Sequence, residues 1–156
     1  MKINPDNDGL DHINLYSKGK TPLGRSLSNF ALTPFAHPSF GGFYSVEGFW
    51  YWLKTGLQHD QLRTLYGYRA KKQGTLYESV SCEHFESIIC EAIECKVRTY
   101  PSISYQLATT DLPLVHYYRY GDQLITPSSG LWQCAFLEQL RYQLRCEPST
   151  LAPHLL

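Results

Sequence analysis

The chain has little charge and no excess of either sign. Charged side chains make up 18% of its 156 residues, below the usual ~25%. Fourteen basic and fourteen acidic side chains cancel. No global field gathers phosphate backbones, so non-specific nucleic-acid binding is not the default reading, although a local basic pocket stays open. No run approaches the ~18 consecutive apolar residues of a membrane span. The polar start Met1-Lys2-Ile3-Asn4-Pro5-Asp6-Asn7-Asp8 lacks the apolar core of a secretory signal. A cytoplasmic protein with no membrane partner is therefore expected. No C-x-x-C pair occurs among Cys82, Cys90, Cys95, Cys134 and Cys146, and neither Cys82-x-His84 nor the Cys90–Cys95 spacing makes a zinc pattern. These are read as small apolar residues or idle thiols. No metal site and no cofactor are expected.

What the chain does have is apolar and aromatic surface. Apolar residues reach 43%, with twelve Tyr, seven Phe and three Trp. That composition folds, and its rings can also stack on planar ligands. The length suits one domain of the usual ~100–200 residues. We expect a single domain over 1–156, with 1–11 as a flexible lead and 147–156 as a tail. No internal repeat or low-complexity tract breaks it.

The elements follow from periodicity. His12 to Tyr16 alternates like a strand. Ser17 to Arg25 reads as a loop, and the run holding Pro34, Pro38, Gly41 and Gly42 as irregular. Ser45 to Leu57 has helical period, with Ser45 as cap and Val46, Phe49, Trp50, Leu53 and Leu57 as its apolar stripe. A short helix over His59 to Tyr66 is closed by Gly67, and another turn or two spans Tyr68 to Gln73. Ser81 to Tyr100 is the clearest helix. Its stripe is Cys82, Phe85, Ile88, Ile89, Ala92, Ile93 and Val97. Pro101 ends it or opens the next helix, Ser102 to Ala108. Val115 to Tyr120 and Gln123 to Thr126 flank Gly121-Asp122 as a β-hairpin with a type II′ turn. Leu131 to Arg145 is the last helix. The whole is α+β, helix-dominated, with a few short strands.

Four charged groups stand out. At about 100° per residue, Lys96 falls inside the apolar stripe of its helix. It either snorkels outward near the helix end or lines a pocket, where it pairs with a phosphate or acts as an amine nucleophile. Glu47 and Lys54 lie seven residues apart on one side of their helix, about 10 Å along the axis at ~1.5 Å per residue, with Tyr51 between them. That span is too long for an i, i+4 ion pair and suits a ligand touching both. Each alone can equally be a solvated surface charge. Lys71, beside Lys72 and near Gly74, is either solvated or a phosphate ligand. Of the run Phe49-Trp50-Tyr51-Trp52, part belongs to the core and part can offer a ring to a base.

These residues fall in a familiar order. Leu27-Ser28-Asn29-Phe30, Thr33-Pro34-Phe35, then Ser45-Val46-Glu47 with Lys54, resembles the NADAR superfamily. Ala70-Lys71-Lys72-Gln73-Gly74 is similar to that family's Ala-Lys-x-x-Gly segment, and Ala92-Ile93-Glu94-Cys95-Lys96 to its Ala-x-x-x-Lys helix. Leu107 to Asp111 and Pro113 to Val115 resemble its next segment. The likeness runs over about residues 13–141. It implies an α+β fold around one polar pocket and cleavage of N-glycosidic bonds. The substrates it implies are riboflavin-pathway intermediates, ADP-ribose on guanine in DNA, or NAD-derived metabolites in phage–host conflict.

The resemblance also implies roles. A carboxylate can stabilise charge at the sugar carbon or activate water, and Glu47 is the candidate. Lys54 and Lys96 compete as Schiff-base amine or phosphate ligand. Asn29, Phe30, Trp50, Tyr51, Lys71, Asp111, His116 and Tyr120 are the expected substrate-binding set. The partner would be a nucleotide-like small molecule or an ADP-ribosylated base. Departures occur at His116, where many members place Glu, at Tyr120, where they place Trp, and at Ser128 to Trp132. They leave open a binding module that sequesters ADP-ribose-like ligands without cleaving them. A third reading is an interaction domain whose rings only fill the core.

Overall fold

The computed structural model describes residues 2–151. In chain order the elements are β1 (Ile13–Asn14), α1 (Pro22–Leu27), β2 (Phe35–His37), β3 (Gly41–Phe43), α2 (Val46–Lys54), α3 (Gly67–Gly74), α4 (Phe85–Thr99), α5 (Pro101–Thr109), β4 (Leu114–Val115), β5 (Tyr118–Tyr120), β6 (Gln123–Ile125), α6 (Ser128–Arg145) and α7 (Pro148–Leu151). Short 3-10 turns occupy Pro5–Asn7 and Asp60–Thr64. No helix among the described residues is long and apolar enough to cross a membrane. The fold is α+β and helix-dominated. It forms two compact units, one built from 2–28 with 100–151 and the other from 29–99.

In the unit spanning 29–99, Ser45 caps α2: its hydroxyl oxygen accepts from the Gly48 amide at 3.0 Å and donates to the Leu65 carbonyl at 2.9 Å. Val46, Phe49, Trp52 and Leu53 are buried. Trp52, not Trp50, is the core indole, because α2 turns its face toward β2–β3 rather than along the expected stripe. Leu57 lies beyond the helix, 44% exposed. The run expected as irregular is a hairpin, pairing Phe35 with Phe43 and His37 with Gly41. Its rings explain it. Phe43 and Phe49 meet edge to face at 4.8 Å, and Phe43 and Trp52 at 5.2 Å. Arg63 closes the cluster, with its guanidinium 4.4 Å from the Phe43 ring centroid and hydrogen bonds to the Phe40 and Gly42 carbonyls. Gly67 opens α3 instead of closing the preceding turn. The inner face of α4 is Ile89, Ala92, Ile93, Lys96 and Val97.

In the discontinuous unit, β1 pairs in parallel with β4, Ile13 opposite Leu114 and Asn14 opposite Val115. Val115 therefore leaves the expected hairpin for β4, and the hairpin is confined to β5 and β6. Gly121 takes φ +61° in its turn, as the Gly-first loop requires. The expected loop before residue 25 holds α1, opened by a Thr21 cap on the Gly24 amide and by Pro22. The segment 2–11 carries more local structure than a loose lead: Asp8 is buried and accepts from the amides of Asn14 and Lys20. The tail begins with α7, while its last residues, 152–156, lie outside the described residues.

Candidate functional site

The unit spanning 29–99 gathers the charged residues singled out from the sequence. Glu47 sits in the first turn of α2, partly exposed. The Asn29 carbonyl accepts from the Glu47 amide at 2.9 Å, and the Phe30 carbonyl accepts from the Gly67 amide at 2.9 Å. The Asn29-Phe30 backbone is thus fixed to the N-terminal ends of α2 and α3. Burial pushes the Glu47 carboxyl up to about 7, against the opposing pull of Lys71 and Lys54. A carboxyl so placed has comparable protonated and ionised populations near neutral pH. Lys54 ends α2, partly exposed, and Lys71 is exposed on α3. Both act on Glu47 electrostatically, so these three groups share one neighbourhood.

Tyr51 lies between Glu47 and Lys54. The Lys54 ammonium is 5.9 Å from its ring centroid. Burial first, and the Glu47 charge second, raise its hydroxyl above the ordinary phenol value. The ring is held against α3: a β-carbon on Gly74 would overlap Tyr51 Cβ and Cγ. Sequence reasoning missed this contact. Its signal is the glycine closing Ala70-Lys71-Lys72-Gln73-Gly74, which lets two helices meet side chain on backbone. Trp50 is not a free platform; it meets Phe85 edge to face at 4.9 Å.

Lys96 is 1% exposed. It does not snorkel, which removes that alternative. Desolvation lowers its ammonium to about 7, so a substantial fraction is neutral amine at physiological pH. Near it in sequence, Glu91 accepts from His37 Nε2 at 2.9 Å, while His37 Nδ1 accepts from the Ser39 amide. That pair fixes the ring as the Nε2–H tautomer between the faces of Phe40 and Phe49. It was not foreseen from sequence, where His37 stands in a stretch read as irregular.

Asp111, His116 and Tyr120 belong to the other unit. Asp111 is exposed and accepts from Arg145 at 2.7 Å, where Arg145 also binds the Ala108 and Thr110 carbonyls. His116 is partly buried. Its Nδ1 is 2.6 Å from the Leu15 carbonyl, and burial lowers its pKa against that bond. Nδ1–H therefore donates and Nε2 is left as acceptor. Tyr120 is 78% exposed on β5. The cysteines are free thiols, and burial raises Cys90 to about 11 and Cys134 to about 12, which leaves neither a thiolate nucleophile at neutral pH.

The fold is similar to that of the E. coli protein YbiA, solved by NMR. The TM-score is 0.65 at 18% sequence identity, covering 92% of this chain and 94% of that chain. No family model and no curated protein matches the sequence.

Proposed function

We propose that the chain is a NADAR-like N-glycosidase that hydrolyses a ribosyl C–N bond in a nucleotide-like substrate. The substrate class spans ADP-ribose on guanine and NAD- or riboflavin-pathway metabolites. The observation that carries this reading is Glu47, a carboxyl poised near neutrality beside two ammonium groups, in a fold like that of YbiA, a NADAR-family protein. In the proposed reaction the C1′–N bond breaks and its electron pair leaves with the base. Water adds to C1′. One water proton passes to Glu47, and the departing nitrogen takes one in return. The ionised carboxylate also offsets positive charge growing at C1′. Lys54 and Lys71 face the anionic part of the substrate. A covalent variant uses a neutral amine on the opened sugar aldehyde. The lowered pKa of Lys96 favours it for that step, and the greater exposure of Lys54 favours Lys54.

The test is incubation with ADP-ribosylated DNA, NAD, ADP-ribose and riboflavin precursors, with freed base read by mass spectrometry. Glu47→Gln is expected to lower turnover by about a hundredfold or more, the usual scale of an acid–base group, with the fold intact by circular dichroism. Full-rate turnover in that variant removes Glu47 from the mechanism. Borohydride trapping under turnover then identifies which lysine, if any, bonds the sugar.

The second reading, a sequestering module, is favoured by His116, which stands where many family members carry Glu and whose Nδ1–H is already committed to Leu15. Tight calorimetric binding of ADP-ribose with no base released selects it.

A further inference from the structure

We propose that Tyr51 is the proton donor to the departing base, an inference that rests on the glycosidase reading. That reaction moves two protons. Glu47 takes one from the attacking water, and the nitrogen that leaves C1′ needs one from a second group. Tyr51 stands one turn beyond Glu47 on α2. Long helical side chains lean toward the helix N-terminus, over the residue four positions earlier. The hydroxyl end of Tyr51 is therefore on the Glu47 side of the ring. Two observations set this phenol apart. Its ring is fixed, because Gly74 meets Tyr51 Cβ, Cγ and Cδ1 so closely that a β-carbon there would overlap them. Its hydroxyl is uncommitted. A half-buried phenol usually bonds its O–H to the protein. The Tyr77 hydroxyl accepts from Gln61 and Gln73, and the Tyr117 hydroxyl bonds His12. Tyr51 is half-buried too, yet its hydroxyl has no hydrogen-bond partner among the described residues. No buried side-chain oxygen there is unpaired, so this one opens to solvent. A ring held that firmly, with its polar end left open beside Glu47, is placed to meet a group from outside the chain.

Charge makes that phenol a donor and not a base. Burial and the Glu47 charge both hold it in its protonated form at neutral pH, so it can give a proton whichever state Glu47 is in. The step balances. As the C1′–N bond breaks, its electron pair goes to the nitrogen, which takes the Tyr51 proton. The water oxygen bonds C1′, and its proton passes to Glu47. Glu47 then returns that proton to the Tyr51 oxygen, since a phenolate is a stronger base than a carboxylate. One water has been split across the bond, and both side chains are as they began. Lys54, whose ammonium lies 5.9 Å from the ring centroid, follows Tyr51 on α2 and stays with the anionic part of the substrate.

The test compares leaving groups. Nicotinamide departs from NAD as a neutral ring and needs no proton. Guanine departing from ADP-ribosylated DNA, or the amine of a riboflavin precursor, does need one. Tyr51→Phe keeps the ring against Gly74 and removes only the proton. On the DNA adduct or the precursor, kcat should fall by about a hundredfold, with KM within about twofold of the parent. Where NAD is also cleaved, the loss on NAD should be at least about tenfold smaller, because a donor matters less to a base that leaves neutral. Melting curves on the variant check the fold. That pattern supports the proposal. A variant as fast as the parent overturns it, and so does an equal loss on NAD and on the other substrates, which makes Tyr51 a packing residue. Cleavage of NAD alone by the parent also overturns it, since no donor is then needed. In these three cases the glycosidase reading survives. A parent that releases no base from any of these compounds removes that reading, and this inference with it.

Discussion

Glu47 links the candidate chemistry to the stability of the fold. Its carboxyl is raised from 4.5 to about 7, with burial as the largest cause. The sign follows from proton counting. Below about pH 4.5 the group is protonated whether the chain is folded or not, and it has no effect on stability. Between about 4.5 and 7 the unfolded chain ionises and the folded chain does not, so stability falls as pH rises. Above about 7 the full penalty is present, on the order of 3 kcal/mol at ~1.4 kcal/mol per pH unit. Glu47→Gln removes the titration. Urea unfolding at about pH 4 should give similar midpoints for parent and variant, and at about pH 8 the variant should be the more stable. Equal midpoints at both values would place Glu47 in water and remove the electrostatic basis of its role. If Glu47→Gln is both the more stable and the slower variant, the carboxyl is retained for chemistry and not for stability.

At the scale of elements, helices α2, α4 and α5 were legible because each carries apolar residues at helical spacing, although α4 starts at Phe85 rather than Ser81, and α3 was misplaced at its start because Gly67 reads as a stop. Ser45 and Pro101 act as that reading requires. The signal at the start of α1 was also present, Thr21 before Pro22, but six residues give periodicity too little length to speak. The β2–β3 hairpin was hidden by Pro38 and two glycines, which read as loop until Phe35, Phe43, Phe49 and Trp52 are seen to share one cluster. The closeness of α2 to α3 was equally invisible, since it depends on what Gly74 lacks. Gly74→Ala tests it. Its β-carbon would overlap Tyr51 Cβ and Cγ, within a well-packed contact. Overpacking of this kind typically costs about 1–3 kcal/mol. The variant should melt several degrees lower, and ligand affinity should fall with it, because the displaced ring carries Lys54 on its face. A melting temperature and an affinity like the parent's would show that α3 does not press on Tyr51.

Across the whole molecule, the parts hardest to read were those joined over long sequence separation. The candidate residues Glu47, Tyr51, Lys54 and Lys71 fall within 25 positions of one another, and local spacing already suggested that the first three share a side. The discontinuous unit offers no such cue. Its two segments are joined by the two-residue parallel pairing of β1 with β4, and a two-residue strand has no alternation to detect. Asn14 extends that joint beyond the ladder. Its side-chain amide donates to the Tyr117 carbonyl, and its side-chain oxygen accepts from the Tyr117 amide, both at 3.0 Å and buried. The pair reproduces a strand rung with a side chain, because the amide carries its donor and its acceptor on separate atoms. Next to it His12 Nδ1–H donates to Asp11 and Nε2 accepts from the Tyr117 hydroxyl at 2.7 Å. Asn14→Ala would leave a buried N–H and a buried C=O without these partners, at about 1–3 kcal/mol each. Asn14→Asp would keep the acceptor and lose the donor, leaving a carboxylate facing a carbonyl. Both variants should therefore lower the urea midpoint by more than a typical surface substitution, with Asp no milder than Ala. Amide hydrogen exchange should rise first at residues 13–15 and 114–117. If exchange there stays at the parent's level while the midpoint falls, the loss lies elsewhere and Asn14 does not hold the two segments together.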